Sequence, residues 1–337
     1  MRLGFAVKVI GQADLPSHDT RRWRSEPDLG TSIKFLHRIF DYLDSVDIRM
    51  YRMATGIAPY ASHPDLPQFR DQPQRFSAAL AALGKRAREL DLRLSTHPGQ
   101  YTVLNSENEA VVDAAIEELE VQSEILDAMN LGPEAVVVMH IGGVAGDKAL
   151  AKARFEAAYL RLSERAQARL VVENDDRSFG LSDALEVSDR TGRPVVLDVH
   201  HHHCHDPDQI PDDEALRLAA RTWPDGVTPK VHYSSPRTAM GERKTKVGRR
   251  TVVRRVPPPF RAHADMIDPL GFEWWLRHVL RDAEVDVMLE AKGKDVALLE
   301  LRTQLRNRGV LDIGAFKKSP GAGQLGPAEP PVPLSPP

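Results

Sequence analysis

A chain of 337 residues, 42% of them hydrophobic, has enough apolar material for one large domain or two ordinary ones. Its one cysteine, Cys204, excludes an intrachain disulfide, and no apolar run reaches the roughly 18 residues that span a bilayer. The formal charge of −3 argues against a generic DNA-coating protein, but residues 237–261 hold nine Lys or Arg and one acid, so that segment carries +8 and the remainder −11 by difference.

In chain order, residues 3–10 read as a first strand, because a lysine interrupts the apolar run and no small-residue cleavage site follows; a cytoplasmic location is expected. Further apolar, β-branched runs lie at 48–53, 92–96, 135–141, 170–173, 195–199, 229–233 and 285–290. Between them, apolar residues recur at three and four over 32–43, 74–90, 107–129, 148–168, 181–191, 213–222, 272–282 and 296–306, as in Ile33, Leu36, Ile39, Phe40 and Leu43. Eight strand–helix units with continuously apolar strands predict a single α/β domain, a (β/α)8 TIM barrel over residues 1–313. An open doubly wound sheet is the alternative. The barrel is preferred because polar residues gather just beyond the strand ends, where barrel enzymes build their sites.

Two stretches fall outside the repeat. Residues 234–259 are too long for an ordinary connection and rich in Arg and Lys, which predicts a mobile insertion overlapping the basic segment 237–261. Residues 314–337 hold seven prolines and no hydrophobic period, which predicts a disordered tail.

The chemistry-bearing residues sit at the predicted strand ends. His97 follows the third strand and precedes a Pro-Gly turn that projects Gln100 and Tyr101. His140 ends the fourth strand, Glu173 the fifth and Asp198 the sixth; His232 lies in the seventh and Glu290 after the eighth. Asp198 and His201 form an Asp-x-x-His pair that can enter one site, whereas the later histidines of the run His200 to His205 read as a solvated loop. His18, His37 and His278 read as surface or packing residues. A carboxylate facing a barrel interior needs a cation or a partner, so Glu173 and Glu290 bind metal or form buried salt bridges. Imidazole and carboxylate without thiolate favour Zn, Mn or Fe over a cysteine-type zinc site.

Taken together, seven ordered motifs resemble those of the UV damage endonucleases. They are Leu-Ser-Thr-His-Pro-Gly-Gln-Tyr-Thr-Val-Leu-Asn-Ser at 94–106, Met-His-Ile-Gly-Gly-Val-Ala-Gly-Asp-Lys at 139–148, Glu-Asn-Asp-Asp at 173–176, and the stretches 197–201, 230–234, 263–267 and 286–294. The likeness spans roughly residues 1–308. It implies a metal-dependent barrel, related to the type IV apurinic endonucleases, that nicks duplex DNA immediately 5′ to a pyrimidine photoproduct and leaves a 3′-hydroxyl and a 5′-phosphate. No membrane and no obligate protein partner are implied.

On matching positions, the resemblance implies up to three divalent ions, Mn2+ foremost, with Zn2+, Co2+ or Mg2+ as alternatives. His97, His140 and Glu173 would hold one ion; Glu173, Asp198, His232 and Glu290 a second; His201 and His263 a third. Gln100 and Tyr101 match the family's damage-probing pair, although Tyr101 as an aromatic packed on its own barrel is the plainer alternative. His63 and Asp265 would lie beside the cluster or touch DNA. Lys230 points to the same side of its strand as His232, so beside cations it is expected to be neutral or to carry an acidic modification such as a carbamate, and it joins Glu173 as a catalytic candidate. Arg243, Lys244, Lys246, Arg249, Arg250, Arg254 and Arg255 are candidate contacts to the DNA backbone, the alternative being a solvated loop.

The chain departs from the family pattern at Phe5, where a tyrosine is usual, in lacking an Asn before Asn105, and at Met53-Ala54-Thr55. An abasic-site endonuclease, a sugar isomerase or epimerase on the same barrel, and a non-catalytic damage binder are the competing functions.

Overall fold

The computed structural model describes residues 1–310 apart from Arg249. The tail expected over 314–337 and the backbone contact expected of Arg249 lie outside the described residues. Eight parallel strands close into a barrel: β1 (Leu3–Ala6), β2 (Met50–Arg52), β3 (Arg93–Thr96), β4 (Val136–His140), β5 (Leu170–Glu173), β6 (Val195–Asp198), β7 (Lys230–Tyr233) and, after an inserted pair β8 and β9, β10 (Asp286–Leu289). Each strand pairs with the next in sequence, and β10 closes onto β1 through Leu3 opposite Val287 and Phe5 opposite Leu289.

Strand parity divides this barrel into two environments, because successive side chains point to opposite faces. One parity packs outward against the helices in a continuous core that includes Phe5, Tyr51, Leu94, Val137, Val172, Leu197, Val231 and Leu289. The other points into the barrel. There Val136, Val138, Val171 and Val196 pack on Trp223, while Ala6, Met50 and Met288 form a second small cluster. The remaining interior is a polar column. At its base, Arg93 Nη1 donates to Asp286 Oδ2 at 2.9 Å, and the Arg2 backbone N–H donates to Asp286 Oδ1 at 2.6 Å. One layer up, Lys230 Nζ donates to Ser95 Oγ at 2.6 Å across the barrel.

The helices follow the expected periods and begin where capping side chains allow. Asp28 accepts from the Thr31 N–H to start α1 (Leu29–Ser45), which buries the predicted Ile33, Leu36, Ile39, Phe40 and Leu43. After α2 (Gln72–Arg75) and α3 (Ser77–Glu89), Asn108 starts α4 (Glu109–Ala128). The helix expected over 148–168 is two: α5 (Lys148–Tyr159) stops, and Ser163 caps a second start by accepting from the Ala166 N–H, giving α6 (Glu164–Arg169). α7 (Leu181–Thr191) ends at Gly192, whose φ of +69° suits a residue without Cβ.

One expectation is corrected in part. The run after Asp198 is a short helix, α8 (Val199–Cys204), rather than a loop: the Asp198 carboxylate accepts from the His201 N–H at 2.8 Å and nucleates the turn, and His202 is buried while His203 is exposed as expected. The basic insertion, expected as a mobile stretch, forms an antiparallel ribbon, β8 (Gly241–Val247) with β9 (Arg250–Val256). Its β-branched Thr245, Thr251, Val252, Val253 and Val256 suit pairing, and Gly248, at φ +62°, serves the turn. α9 (Asp212–Ala220), α10 (Pro269–Trp275) and α11 (Lys294–Asn307) complete the outer ring. Among the described residues no helix is long and apolar enough to cross a membrane.

The Asp286 carboxyl is held below the usual range: burial opposes its charge, but Arg93 and Arg2 outweigh burial. Its contribution to stability is therefore present above the unfolded value of about 4 and is lost as pH falls through the depressed folded value. Asp286→Ala, which strands the buried Arg93 guanidinium, is expected to cost about 3–5 kcal/mol in urea unfolding at pH 7. The gap to the parent protein should shrink at acid pH.

Candidate metal centre at the barrel mouth

The inward parity that carries the polar column ends, at the C-terminal rim, in histidines and carboxylates. His140 stands opposite Glu173 in the β4–β5 register and Asp198 opposite His232 in β6–β7. Glu290, one residue past β10, is fixed by its N–H donating to the Tyr233 carbonyl at 2.9 Å. His97, one residue past β3, has Nδ1 3.0 Å from the Pro98 carbonyl, which leaves Nε2 to face Glu173 Oε2 at 2.8 Å.

Glu173 is the hub. Its side chain is fully buried; Oε2 lies 3.4 Å from His140 Nε2, and Oε1 lies 2.6 Å from His232 Nδ1. His232 Nδ1 is also 3.3 Å from Glu290 Oε1. Two groups of donor atoms result, each with all its atoms within 4.8 Å of one another: His97, His140 and Glu173, and Glu173, Asp198, His232 and Glu290. Either group could hold a metal ion. On the residues of these groups, three buried atoms, His140 Nδ1, Asp198 Oδ2 and His232 Nε2, have no hydrogen-bond partner, an arrangement costly in a closed interior. A set of nitrogen and oxygen donors with unpaired buried atoms and shared carboxylates fits divalent cations.

The electrostatics agree. Burial pushes the Glu173 carboxyl up, but His232 and His140 hold it well below the carboxylate range; Glu290 is likewise held down against burial by Arg52 and His232. For His201, burial opposes the charged ring, yet Asp198, Glu173 and Glu290 raise it to about 9.

Other sequence-predicted residues fall at varying distance from the hub. His201 Nδ1 is 3.1 Å from the Asn174 carbonyl, and its ring meets His263 edge-on with centroids 5.7 Å apart. His263 Nδ1 is 2.7 Å from Ser234 Oγ. This pair does not join a third group of three converging donors among the described residues. His63 is half-buried, with the Asp65 N–H 3.2 Å from its Nδ1, and Asp265 is exposed. Gln100 is exposed and Tyr101 is 84% exposed on a turn closed by the Thr102 N–H to the Gly99 carbonyl, so Tyr101 does not pack on its own barrel. Arg243, Lys244, Lys246, Arg250, Arg254 and Arg255 are exposed on the ribbon.

Sequence reasoning gave Arg52 no role. Its guanidinium Nη1 meets Glu290 Oε1 at the rim. The available signal was its position at the end of β2 on the inward parity, shared with Met50. Asn174 was also passed over: its side chain and the Asp198 backbone exchange two hydrogen bonds, of 3.0 and 2.9 Å, which lock β5 to β6 beside the hub.

A (β/α)8 barrel whose mouth is lined by histidines linked through a buried carboxylate defines the class of barrels with a candidate metal centre at the face where such folds build their active sites, and that fold hosts many unrelated chemistries. Within that class, the chain belongs to the UV-endonuclease UvdE family, a family of DNA endonucleases, whose sequence profile matches residues 16–317. The UV DNA damage endonuclease of Bacillus velezensis is 32% identical over 276 residues, covering 80% of this chain and 78% of that protein. The UV-damage endonuclease of Neurospora crassa is 35% identical over 267 residues, 75% of this chain and 37% of the fungal protein. The crystal structure of SacUVDE superposes with a TM-score of 0.76 at 28% identity, covering 92% of this chain and 100% of that one. D-psicose 3-epimerase, 13% identical with a TM-score of 0.51, shares the fold alone.

Burial, together with Arg93 and Arg52, pushes the Lys230 amine well below its usual value, against the pull of Glu173 and Glu290. Folding therefore disfavours the protonated amine, a cost present below the unfolded value of about 10.4 that fades as pH rises towards it. Lys230→Met is accordingly expected to melt above the parent protein at pH 7, with the difference narrowing towards pH 10. A lower melting temperature at both pH values would instead indicate a charged or carbamylated side chain, which intact-mass measurement would separate.

Proposed function

We propose that this chain is a metal-dependent DNA repair endonuclease that nicks duplex DNA immediately 5′ to UV photoproducts, leaving a 3′-hydroxyl and a 5′-phosphate. The observation that carries the reading is Glu173, fully buried at the barrel mouth and shared by two groups of converging donors, in a chain of the UvdE family. His97, His140 and Glu173 would hold one ion, Glu173, Asp198, His232 and Glu290 a second, and His201 with His263 a third. Mn2+ suits this donor set, with Zn2+, Co2+ and Mg2+ as the alternatives to test. Bound there, divalent cations would supply a lowered pKa for a water and charge compensation for the phosphoryl group and leaving oxygen.

The chain's own groups then have distinct tasks. Glu173 links the two donor groups, so its removal would disturb both at once. Arg52 and His232 keep Glu290 ionised and therefore able to ligate. Lys230, neutral or carrying an acidic modification, would sit beneath the reacting phosphate without adding positive charge to a cationic site. His63 and Asp265 would act beside the cluster or on DNA. Gln100 and Tyr101 project where a wedge is needed: a rim aromatic can stack in place of a displaced base, and a damaged, poorly stacked dinucleotide costs least to extrude. The basic ribbon would bind phosphates without reading sequence.

Incubation of the metal-loaded protein with irradiated, abasic-site and undamaged duplexes tests the reading. Nicks 5′ to the photoproduct with 3′-hydroxyl ends support it, whereas cleavage confined to the abasic duplex would reassign the substrate. Glu173→Ala is expected to lose bound metal and nearly all cleavage with an unchanged circular dichroism spectrum, and retention of both metal and activity would exclude the proposed centre. Tyr101→Ala should lower nicking at lesions by roughly ten- to hundredfold, given about 1–3 kcal/mol for an aromatic–base stack, without altering metal content.

A further inference from the structure

The ribbon β8–β9 carries its charge on both faces, and the register shows how. Cross-strand partners share a face, so Glu242 with Arg255, Lys244 with Val253 and Lys246 with Thr251 lie on one side. Arg243 with Arg254, Thr245 with Val252, and Arg250 lie on the other. Lys244, Lys246 and Arg255 therefore project one way and Arg243, Arg250 and Arg254 the opposite way, all six exposed. Among the described residues none of the six forms an ion pair, not even Arg255 with Glu242 across from it. Arg243 stands directly opposite Arg254, a like-charge pairing that destabilises a ribbon unless an anion lies against it.

The ribbon is rooted at the metal centre. At its base the Arg237 N–H donates to the Ala262 carbonyl at 2.7 Å, Pro236 bridges to His263, and the Ala264 N–H donates to the Ser235 carbonyl at 2.9 Å. Seven-residue strands extend roughly 23 Å at about 3.3 Å per residue.

On the reading that the substrate is duplex DNA, we propose that the ribbon is a two-faced phosphate clamp that stands edge-on in the major groove, each face against the backbone of one strand. A ribbon lying flat on one backbone would leave three cations facing solvent. With side chains on both faces it is on the order of 10 Å thick, which fits between the walls of a major groove about 12 Å wide and does not enter a minor groove about 6 Å wide. Phosphate on either side also relieves the Arg243–Arg254 repulsion. The clamp fixes the duplex relative to the mouth without reading bases, and lesion discrimination is left to the turn at Gln100 and Tyr101.

The test uses the full-length protein and an unirradiated duplex of about 30 base pairs, roughly three turns. Two triple variants, Lys244→Gln/Lys246→Gln/Arg255→Gln and Arg243→Gln/Arg250→Gln/Arg254→Gln, and the two combined, are compared with the parent for the salt dependence of binding, with and without methyl green in the major groove. At a slope of about −0.9 per phosphate, each triple should flatten log affinity against log salt by about 2 to 3 units, the two effects should add, and methyl green should displace the parent. A slope altered by only one triple, effects that do not add, binding indifferent to methyl green, no change in either, or no duplex binding by the parent would each overturn the clamp. Thermal melting of both variants checks that the barrel is intact. Because binding is read on undamaged DNA, a parent that binds through both faces but never nicks irradiated duplex would refute the endonuclease reading and leave the clamp standing.

Discussion

A fully buried carboxylate at the end of β5 is the constraint on which the rest of the mouth depends. Without compensation Glu173 would take up a proton; instead His97, His140 and His232 converge on its two oxygens from three other strands, and each approach requires the donor strand to end at the same height. The barrel register supplies that level, with His140 opposite Glu173 and His232 opposite Asp198. The need to neutralise one carboxylate thus reaches the stagger of the sheet. The same need extends past the histidines, since Asp198 Oδ2 and His232 Nε2 remain buried without partners.

Parity carries this constraint downward. Lys230 is two residues below His232, and Asp286 is four below Glu290, on the same inward side of their strands. The interior therefore alternates carboxylate-rich mouth, amine, and Arg93–Asp286 base, with valines and methionines filling the rest. Such a column costs desolvation at every layer: Asp286 meets Arg93 and Arg2, while burial disfavours the charged form of Lys230, which donates to Ser95.

The barrel and its helices were legible in the sequence because the outward parity is continuously apolar and the helices keep their period of three and four. The donor groups were legible because His140, Glu173 and Asp198 end apolar strands, a place where polar residues have no packing role. What escaped depended on contacts between distant segments. The break between α5 and α6 turns on Ser163 as a cap inside an apparently continuous period. The histidine run looked solvated because a short polar stretch has no hydrophobic signature, whereas the Asp198 cap and the rings of His201 and His263 draw it into the site. Arg52 was invisible for the same reason: its partner Glu290 lies at the far end of the chain and meets it only when β10 closes the barrel.

Charge distribution gives the last connection between fold and function. Outside the basic segment the chain carries −11, and its mouth concentrates Glu173, Asp198 and Glu290, so the bare rim would repel a phosphate backbone. Two features would offset that repulsion at different ranges. Cations in the donor groups would act within contact distance and only once the phosphate has arrived. The ribbon would act earlier, because its cations stand in solvent along an antiparallel arm rooted at Pro236 and His263, where the Debye length of about 8 Å at physiological salt would still let them attract DNA. Placing the attractive charge on a separate arm would let the mouth keep the carboxylates that metal binding would need. The separation is economical in sequence too, since the arm lies wholly within the connection between β7 and α10 and leaves the barrel repeat intact.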